Sequence, residues 1–478
     1  MKKILITAVM AVCIINGRAQ QPPVKKGSKS SKPATADSIH WQGQIGAKRI
    51  LLTAVPKQGG LKAAWFTSPE NSIWQLKADT LYKKGDTLIV QGPLYFGTFY
   101  VKRSADGKEL NGYLLKDTVR KPLVLTSVSA MQPLVLPQTP KAPFTYTSGN
   151  VQYYNADSSI HFGGTLTIPK EGAKHPAVVI VSGTGQQDRD GNMAGHPMFA
   201  VIADYLSRNG IAVLRVDDRG VNETTGNYFN TTTREFAADA LAGIRYLQGR
   251  KEIDAAKTGL IGHSEGGAAA SIAASESKDV AFIISLSGVG ITGMKALLLQ
   301  NEAIVNSSPI TAVNKQRFNK VNKVLFEIVY ENASDTALEQ RMRTAYRQWQ
   351  ADDSAFIAPL DKKQTDHFFY PFERYLSQAT GPWYRGFMTY EPSQVFPLIK
   401  VPVLAINGDR DIISLATPNL EGFQRYVPAG LIQTWQVPGL NHLYQHCVTC
   451  ATNEYSELSE TFAPEVLERM KQFILSVK

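Results

Sequence analysis

Two textures of hydrophobic spacing divide the chain. Between residues 39 and 128, apolar positions fall in short alternating runs at 47–55, 61–66, 87–90, 97–101, 110–114 and 123–126. Turn signals at Lys84-Gly85-Asp86 and Asp106-Gly107 separate some of them. Such spacing predicts an antiparallel meander, sandwich or small barrel. After a second β lead-in at 150–154 and 160–168, the texture changes. Nearly uniform apolar runs at 177–181, 211–216, 258–261, 280–286, 401–406 and 431–437 alternate with stretches of helical spacing at 197–208, 231–250 and 464–477. Strands that are apolar on both sides and separated by helices predict a mostly parallel sheet flanked by helices. Between 290 and 400 the alternation stops. The segment is polar and helix-rich, with aromatics at 368–375 and at Trp383, Tyr384 and Phe387. An insertion at the carboxyl edge of a parallel sheet lies where ligands bind, so it reads as a helical cap. The fold class is therefore α/β with a cap insertion, preceded by a small all-β domain.

The punctuation gives the domain layout. Residues 1–19 read as a secretory leader: Lys2 and Lys3, an apolar run too short to span a bilayer, then Gly17 and Ala19 before a cut. Residues 20–38 are rich in Lys, Ser, Pro and Gly and read as a flexible tether. The β module occupies 39–128. Pro133, Pro137, Pro140 and Pro143 mark a linker at 129–145, and the α/β unit fills 146–478 with its cap at 290–400. The expectation is an exported protein, periplasmic or secreted, without stable membrane insertion. Its formal charge of +10 is scattered rather than gathered on one face, which excludes a nucleic-acid footprint. Beyond the leader only Cys447 and Cys450 remain. In an oxidising compartment they form a candidate local disulfide.

The candidate chemistry centres on Gly262-His263-Ser264-Glu265-Gly266, which follows an apolar run and precedes small helix-forming residues. This is the G-x-S-x-G spacing of a serine at a sharp strand-to-helix turn. A serine hydroxyl needs a base, and the base needs an acid to orient it. Only three histidines follow Ser264: His367 inside the insertion, His442 in the loop after run 431–437, and His446. His442 is the candidate base. The loop after run 401–406 offers Asp409 and Asp411, and the Gly-x-x-Asp spacing favours Asp411. Two backbone N–H groups should hold the developing oxyanion. One is that of Glu265. The other belongs to the loop after Val181, at Thr184 or a glycine beside it. Asp188-Arg189-Asp190 and Asp217-Asp218-Arg219 read as ion pairs bracing loops. Trp383 and Tyr384 are candidate substrate-wall residues, though the aromatics of the cap read first as its core. With no phosphate loop, dinucleotide fingerprint or metal-ligand cluster, no cofactor or metal is expected.

Several stretches together resemble the exported α/β-hydrolases of bacteria, in the dienelactone-hydrolase-like or serine-aminopeptidase-like group. They are Ser182-Gly-Thr-Gly185 with its following Asp-Arg-Asp, Asp217-Asp-Arg-Gly220, Gly262 to Gly267, Gly381-Pro-Trp-Tyr-Arg385, Gly408-Asp-Arg-Asp411 and Gly439-Leu-Asn-His442. The likeness covers about 146–478, and the β module resembles the N-terminal module of many such proteins. It implies an α/β-hydrolase fold, a Ser264-Asp411-His442 triad, an acyl-enzyme intermediate and hydrolysis of carboxylic esters, often with short acyl chains. Gln186, Ile413-Ser414 and the cysteine pair depart from the usual pattern. The expected partner is a small-molecule ester. A peptidase or other acyl hydrolase on the same triad is the alternative, and a non-catalytic glycan- or surface-binding protein a further one. The sequence does not specify oligomeric state.

Overall fold

A computed structural model describes residues 38–477 apart from 46–47, 58–59, 69–72, 93–96, 117–118, 130–135, 309 and 361–371. The leader, most of the tether and the start of the aromatic stretch 368–375 lie outside the described residues. The described residues form two compact units: one contains residues 138–191 and 197–477, the other residues 38–137 with 192–196.

Among the described residues, the N-terminal unit is one antiparallel sheet of nine strands. They are β1 (Ile39–Ile45), β2 (Lys48–Lys57), β3 (Gly60–Ser68), β4 (Ile73–Lys77), β5 (Thr80–Lys84), β6 (Thr87–Gln91), β7 (Thr98–Arg103), β8 (Glu109–Lys116) and β9 (Val119–Val128). Their order is β4-β3-β2-β1-β9-β8-β7-β6-β5, and β5 returns alongside β3, so the sheet curls into a near-barrel. Alternate side chains fill it: Phe99 and Val101 of β7 are buried, Tyr100 between them is half-buried and Lys102 faces out. Trp41, Leu52, Phe66, Val90 and Leu125 join them, with Phe66 stacked on Phe99 at 4.8 Å. Strands β1, β4 and β5 were not expected from spacing. Gly43 interrupts the alternation of β1, and β5 is almost wholly exposed and carries no apolar signal beyond Leu81 and Tyr82.

The larger unit holds an eight-stranded sheet. Its strands are β10 (Tyr146–Tyr154), β11 (His161–Pro169), β12 (His175–Val181), β13 (Ala212–Val216), β14 (Ile253–His263), β15 (Ile283–Leu286), β16 (Val403–Gly408) and β17 (Ile432–Val437). The order is β10-β11-β13-β12-β14-β15-β16-β17, with the β10–β11 and β11–β13 pairs antiparallel and the remaining pairs parallel. This is the α/β-hydrolase architecture. The central strands are buried throughout, as their unbroken apolar runs require. Helices α1 (Met198–Arg208), α2 (Thr233–Gln248) and α3 (Glu265–Glu276) follow in order. A capping box starts α2: Thr232 Oγ1 accepts from Glu235 N–H, and the Glu235 carboxylate accepts from Thr232 N–H at 2.8 Å. Its Ala237, Ala240, Ile244 and Leu247 recur at helical spacing and are buried. Helix α3 instead is buried nearly all round, which its run of alanines and glycines permits.

Between β15 and β16 stand the cap helices α4 (Gly293–Ser307), α5 (Ala312–Glu331), α6 (Leu338–Ile357), α7 (Phe372–Ala379) and α8 (Pro382–Met388). A buried ion pair, Arg317 Nε to Asp353 at 2.6 Å, joins α5 to α6, and Tyr346 stacks on Phe372 at 3.9 Å. Helices α9 (Ala416–Tyr426) and α10 (Pro464–Ser476) complete the unit. Because β12, β14 and β16 run parallel, the loops after Val181, His263 and Gly408 all leave from one edge of the sheet. Among the described residues, no helix is long and apolar enough to cross a membrane.

Candidate active site

Ser264 sits between β14 and α3 with φ +55° and ψ −121°, a backbone conformation that L side chains rarely adopt. The turn is tight enough to exclude side chains on either flank. A Cβ on Gly262 would stand 2.1 Å from the Gly266 carbonyl oxygen, and one on Gly266 would stand 2.3 Å from that of Val181. Gly183 is also tightly placed, since its Cβ would lie 2.9 Å from that of Ser264. Ser264 N–H donates to the Leu286 carbonyl at 2.8 Å, fixing the turn to the neighbouring strand. The hydroxyl does not cap α3, and Ser264 Oγ makes no hydrogen bond to a described residue. It is left for chemistry at a helix N-terminus, where negative charge is favoured. Gly266→Ala is expected to destabilise the fold by about 3 kcal/mol or more, because the clash is with backbone that cannot rotate away. Urea unfolding of the purified variant, or its failure to accumulate in soluble form, checks this.

Asp411 and His442 are brought together. His442 Nδ1–H donates to Asp411 Oδ2 at 2.8 Å, and both side chains are almost fully buried. The other carboxylate oxygen accepts from Ile413 N–H and Ser414 N–H, each at 2.8 Å, so the acid is held in one orientation. Asp409 does different work: it accepts from Gly439 N–H at 2.6 Å, bracing the loop that carries His442. His446 lies between Glu460 and Glu465, at 2.9 and 3.2 Å, on the exposed side of that loop. The geometry therefore separates Asp411 from Asp409 and His442 from His446.

His263, beside the serine, is buried and its Nε2–H donates to the His442 carbonyl at 3.0 Å. This bond ties the base's backbone to the elbow. Burial, reinforced by the neighbouring His442, pushes the His263 pKa down to about 3 from an ordinary 6.5. The imidazole is thus neutral in the folded chain. Between those two values the unfolded chain binds the extra proton, so this group's stability contribution is present above pH 6.5 and is lost as pH falls toward 3. The urea midpoint of the wild type is expected to fall more steeply between pH 7 and about 4 than that of His263→Gln. Parallel slopes would contradict this account of His263.

The loop after β12 is the expected source of the second oxyanion donor. Gly185 N–H is already taken by the Tyr228 hydroxyl at 2.5 Å. The amides of Thr184 and Glu265 carry no hydrogen bond among the described residues. Of the alternatives around Thr184, Gly185 is therefore removed. The loop is pinned from below by half-buried Asp218, which accepts from Ser182 Oγ and from Gln187 N–H at 2.7 Å. Burial raises the Asp218 pKa well above the usual carboxylate range. The neighbouring charges are paired: Arg189 with Asp217, Arg215 with Asp190, and Arg219 with Asp239 at 2.6 Å. These clusters brace the loops.

Trp383 and Tyr384 are buried rather than presented on an open wall, at 7 % and 4 % exposure. Tyr384 shares a hydrogen bond with Tyr375 at 3.1 Å, and Trp383 Nε1–H donates to the Glu265 carboxylate at 2.8 Å. The Glu265 side chain is a feature that spacing along the chain did not reveal. A lone acid in an otherwise small and apolar helix start was its only trace. Cys447 and Cys450 form a disulfide just beyond His442. Glu454 seats that turn by accepting from the N–H groups of Val448, Thr449 and Cys450. Among the described residues, no group of His, Cys, Asp and Glu is arranged to hold a metal ion.

Fold and site together define an α/β-hydrolase with a serine at its elbow. The chain belongs to the X-Pro dipeptidyl-peptidase (S15) family, whose profile matches residues 114–433, and is thus a serine hydrolase of the α/β-hydrolase group. The match includes Ser264 and Asp411 and ends before His442. Over 103 residues the chain is 37 % identical to esterase EstD of Thermotoga maritima; this covers 22 % of the chain and 24 % of the relative, so the chain spans about a quarter of that protein's length. Among solved structures, it is similar to the hypothetical protein PA2218 of Pseudomonas aeruginosa, at 16 % identity and a TM-score of 0.44 over 73 % of this chain and 100 % of the other. It is also similar to Est1E of Butyrivibrio proteoclasticus, solved with ferulic acid, at 18 % identity and a TM-score of 0.38 over 68 % and 98 %.

Proposed function

We propose that the chain is a carboxylic ester hydrolase acting through an acyl-enzyme on Ser264. The observation that carries this reading is a strained serine elbow with the oriented Asp411–His442 pair tied to it through His263. Ser264 Oγ attacks the acyl carbonyl and passes its proton to His442 Nε2. Asp411 holds the Nδ1–H tautomer and stabilises the imidazolium. The amides of Glu265 and Thr184 take the oxyanion. His442 then protonates the leaving alcohol, and water, activated by the same imidazole, releases the acid. The Ser264–His442 bond closes as substrate fills the site, as is common for catalytic hydrogen bonds that are open in the free enzyme.

Esters are favoured over peptides by the state of the carboxylates at the elbow. A dipeptidyl-peptidase must anchor a substrate ammonium. Glu265 is already engaged by three donors, Asp218 by two, and Asp411 by His442, the Asn407 side chain and two amides. None of these three is left to do it. The family match supports peptidase activity as the second reading. A p-nitrophenyl ester series from acetate to decanoate, run beside X-Pro p-nitroanilides, separates them. Higher kcat/KM on short esters is the expected result, and preference for the anilides would establish the peptidase. We also infer export after cleavage near Ala19, a reading supported by the leader pattern and by a disulfide of the kind that persists in oxidising compartments.

A further inference from the structure

The Glu265 carboxylate is 2 % exposed and forms no ion pair among the described residues. A buried carboxylate without a cation is costly unless hydrogen bonds compensate. Here three donors converge on it from three different elements. Thr184 Oγ1 donates at 2.8 Å from the oxyanion loop, Thr233 Oγ1 at 2.6 Å from the first residue of α2, and Trp383 Nε1 at 2.8 Å from cap helix α8. Burial raises the carboxyl's pKa, and the same three bonds oppose that rise.

We propose that Glu265 is a positioning residue that fastens the cap, through Trp383, and the oxyanion loop, through Thr184, to the elbow helix, so that seating of the cap and geometry of the oxyanion hole are set together. The inference rests on the hydrolase reading above. It follows from where the two oxyanion donors lie. One is the amide of Glu265 itself. The other is the amide of Thr184, whose side chain is held by the carboxylate of the same residue. Displacing α8 removes the Trp383 bond, leaves Oε1 held by Thr233 alone, and loosens the carboxylate whose Oε2 holds Thr184. Trp383 is well placed to report cap position, since its ring stacks on Phe387 at 6.0 Å and meets Tyr384 edge-on at 5.8 Å. The bonds need an acceptor, not a charge. A glutamine can keep its carbonyl oxygen toward Thr233 and Trp383 and turn its amide toward the Thr184 hydroxyl, which then accepts.

The test compares wild type, Glu265→Met, Glu265→Gln, Trp383→Phe and the Glu265→Met/Trp383→Phe double variant in the full-length protein, on a p-nitrophenyl ester. Oxyanion contacts act in the transition state, so the loss should appear in kcat with KM nearly unchanged. Glu265→Met is expected to lower kcat by about 100-fold and Trp383→Phe by about 10-fold, with Glu265→Gln recovering to within about 10-fold of wild type. Adding Trp383→Phe to Glu265→Met should cost nothing further, because the link runs through the missing carboxylate. The inference is overturned if folded Glu265→Met, judged by an unchanged urea midpoint, retains kcat within about 3-fold, or if the two losses multiply. Should Glu265→Met not fold, Thr184→Val takes its place in the same cycle: non-additivity with Trp383→Phe supports the link, and multiplication of the two effects overturns it. A wild type that neither turns over esters nor is labelled at Ser264 by a fluorophosphonate overturns the hydrolase reading and this inference with it. A wild type that is labelled while the variants match it overturns this inference alone.

Discussion

Ser264→Ala is expected to lower kcat on the best ester by about 10⁴- to 10⁶-fold while leaving the urea midpoint close to that of wild type. The size of the effect follows from the serine's place in the turn. Its strained backbone is imposed by contacts of Gly262, Gly266 and the Leu286 carbonyl, none of which involves the hydroxyl. Among the described residues, the hydroxyl has no hydrogen-bond partner that its loss would break. Removing it deletes the nucleophile and leaves the fold, the oxyanion amides and the Asp411–His442 pair in place. What activity remains is that of water oriented by those amides. Progress curves at saturating ester, followed with enough enzyme to see residual turnover, measure the drop. A loss of only a few-fold would mean that the nucleophile is elsewhere.

Asp411→Asn carries the second large expected effect, a fall in kcat of about 10⁴-fold. Its physical basis is a tautomer. In the native chain Asp411 Oδ2 accepts from His442 Nδ1–H, leaving Nε2 free to take the serine proton. The other oxygen is fixed by the amides of Ile413 and Ser414, so an asparagine must keep its carbonyl oxygen there and turn its NH₂ toward His442. Nδ1 then becomes the acceptor and the ring proton moves to Nε2, where it blocks the base. Asp409→Asn is the control. Its bond to Gly439 N–H can be kept by the asparagine oxygen, so activity should change little. Equal losses in the two variants would contradict the assignment of the acid.

Local sterics explain why the elbow is legible in the residues. Gly262 and Gly266 flank the serine because a Cβ at either position meets backbone at about 2 Å, so the constraint is written within five consecutive positions. Asp411 and His442 are legible for a related reason: each is the polar residue of a loop leaving a buried strand, and chain order restricts the choice. Other features depend on partners far away. Thr184 and Trp383 lie 81 and 118 positions from Glu265, and no periodicity links them. A Trp in an aromatic stretch of a cap is equally consistent with a substrate wall, and only the fold shows its indole N–H pointing at a carboxylate. Tyr228, which takes the Gly185 amide, is 43 positions away and invisible for the same reason. In the β unit, the strong alternation of β7 announces itself, whereas β5 is an exposed strand whose place comes from its pairing with β6.

The most direct measurement of the central claim is the reaction of the full-length protein with a fluorophosphonate, followed by proteolysis and mass spectrometry of the adduct. The account predicts one stoichiometric adduct, on Ser264, absent from Ser264→Ala and slowed in Asp411→Asn. An adduct on a different residue, or ester turnover persisting in a protein that the reagent never labels, would contradict it.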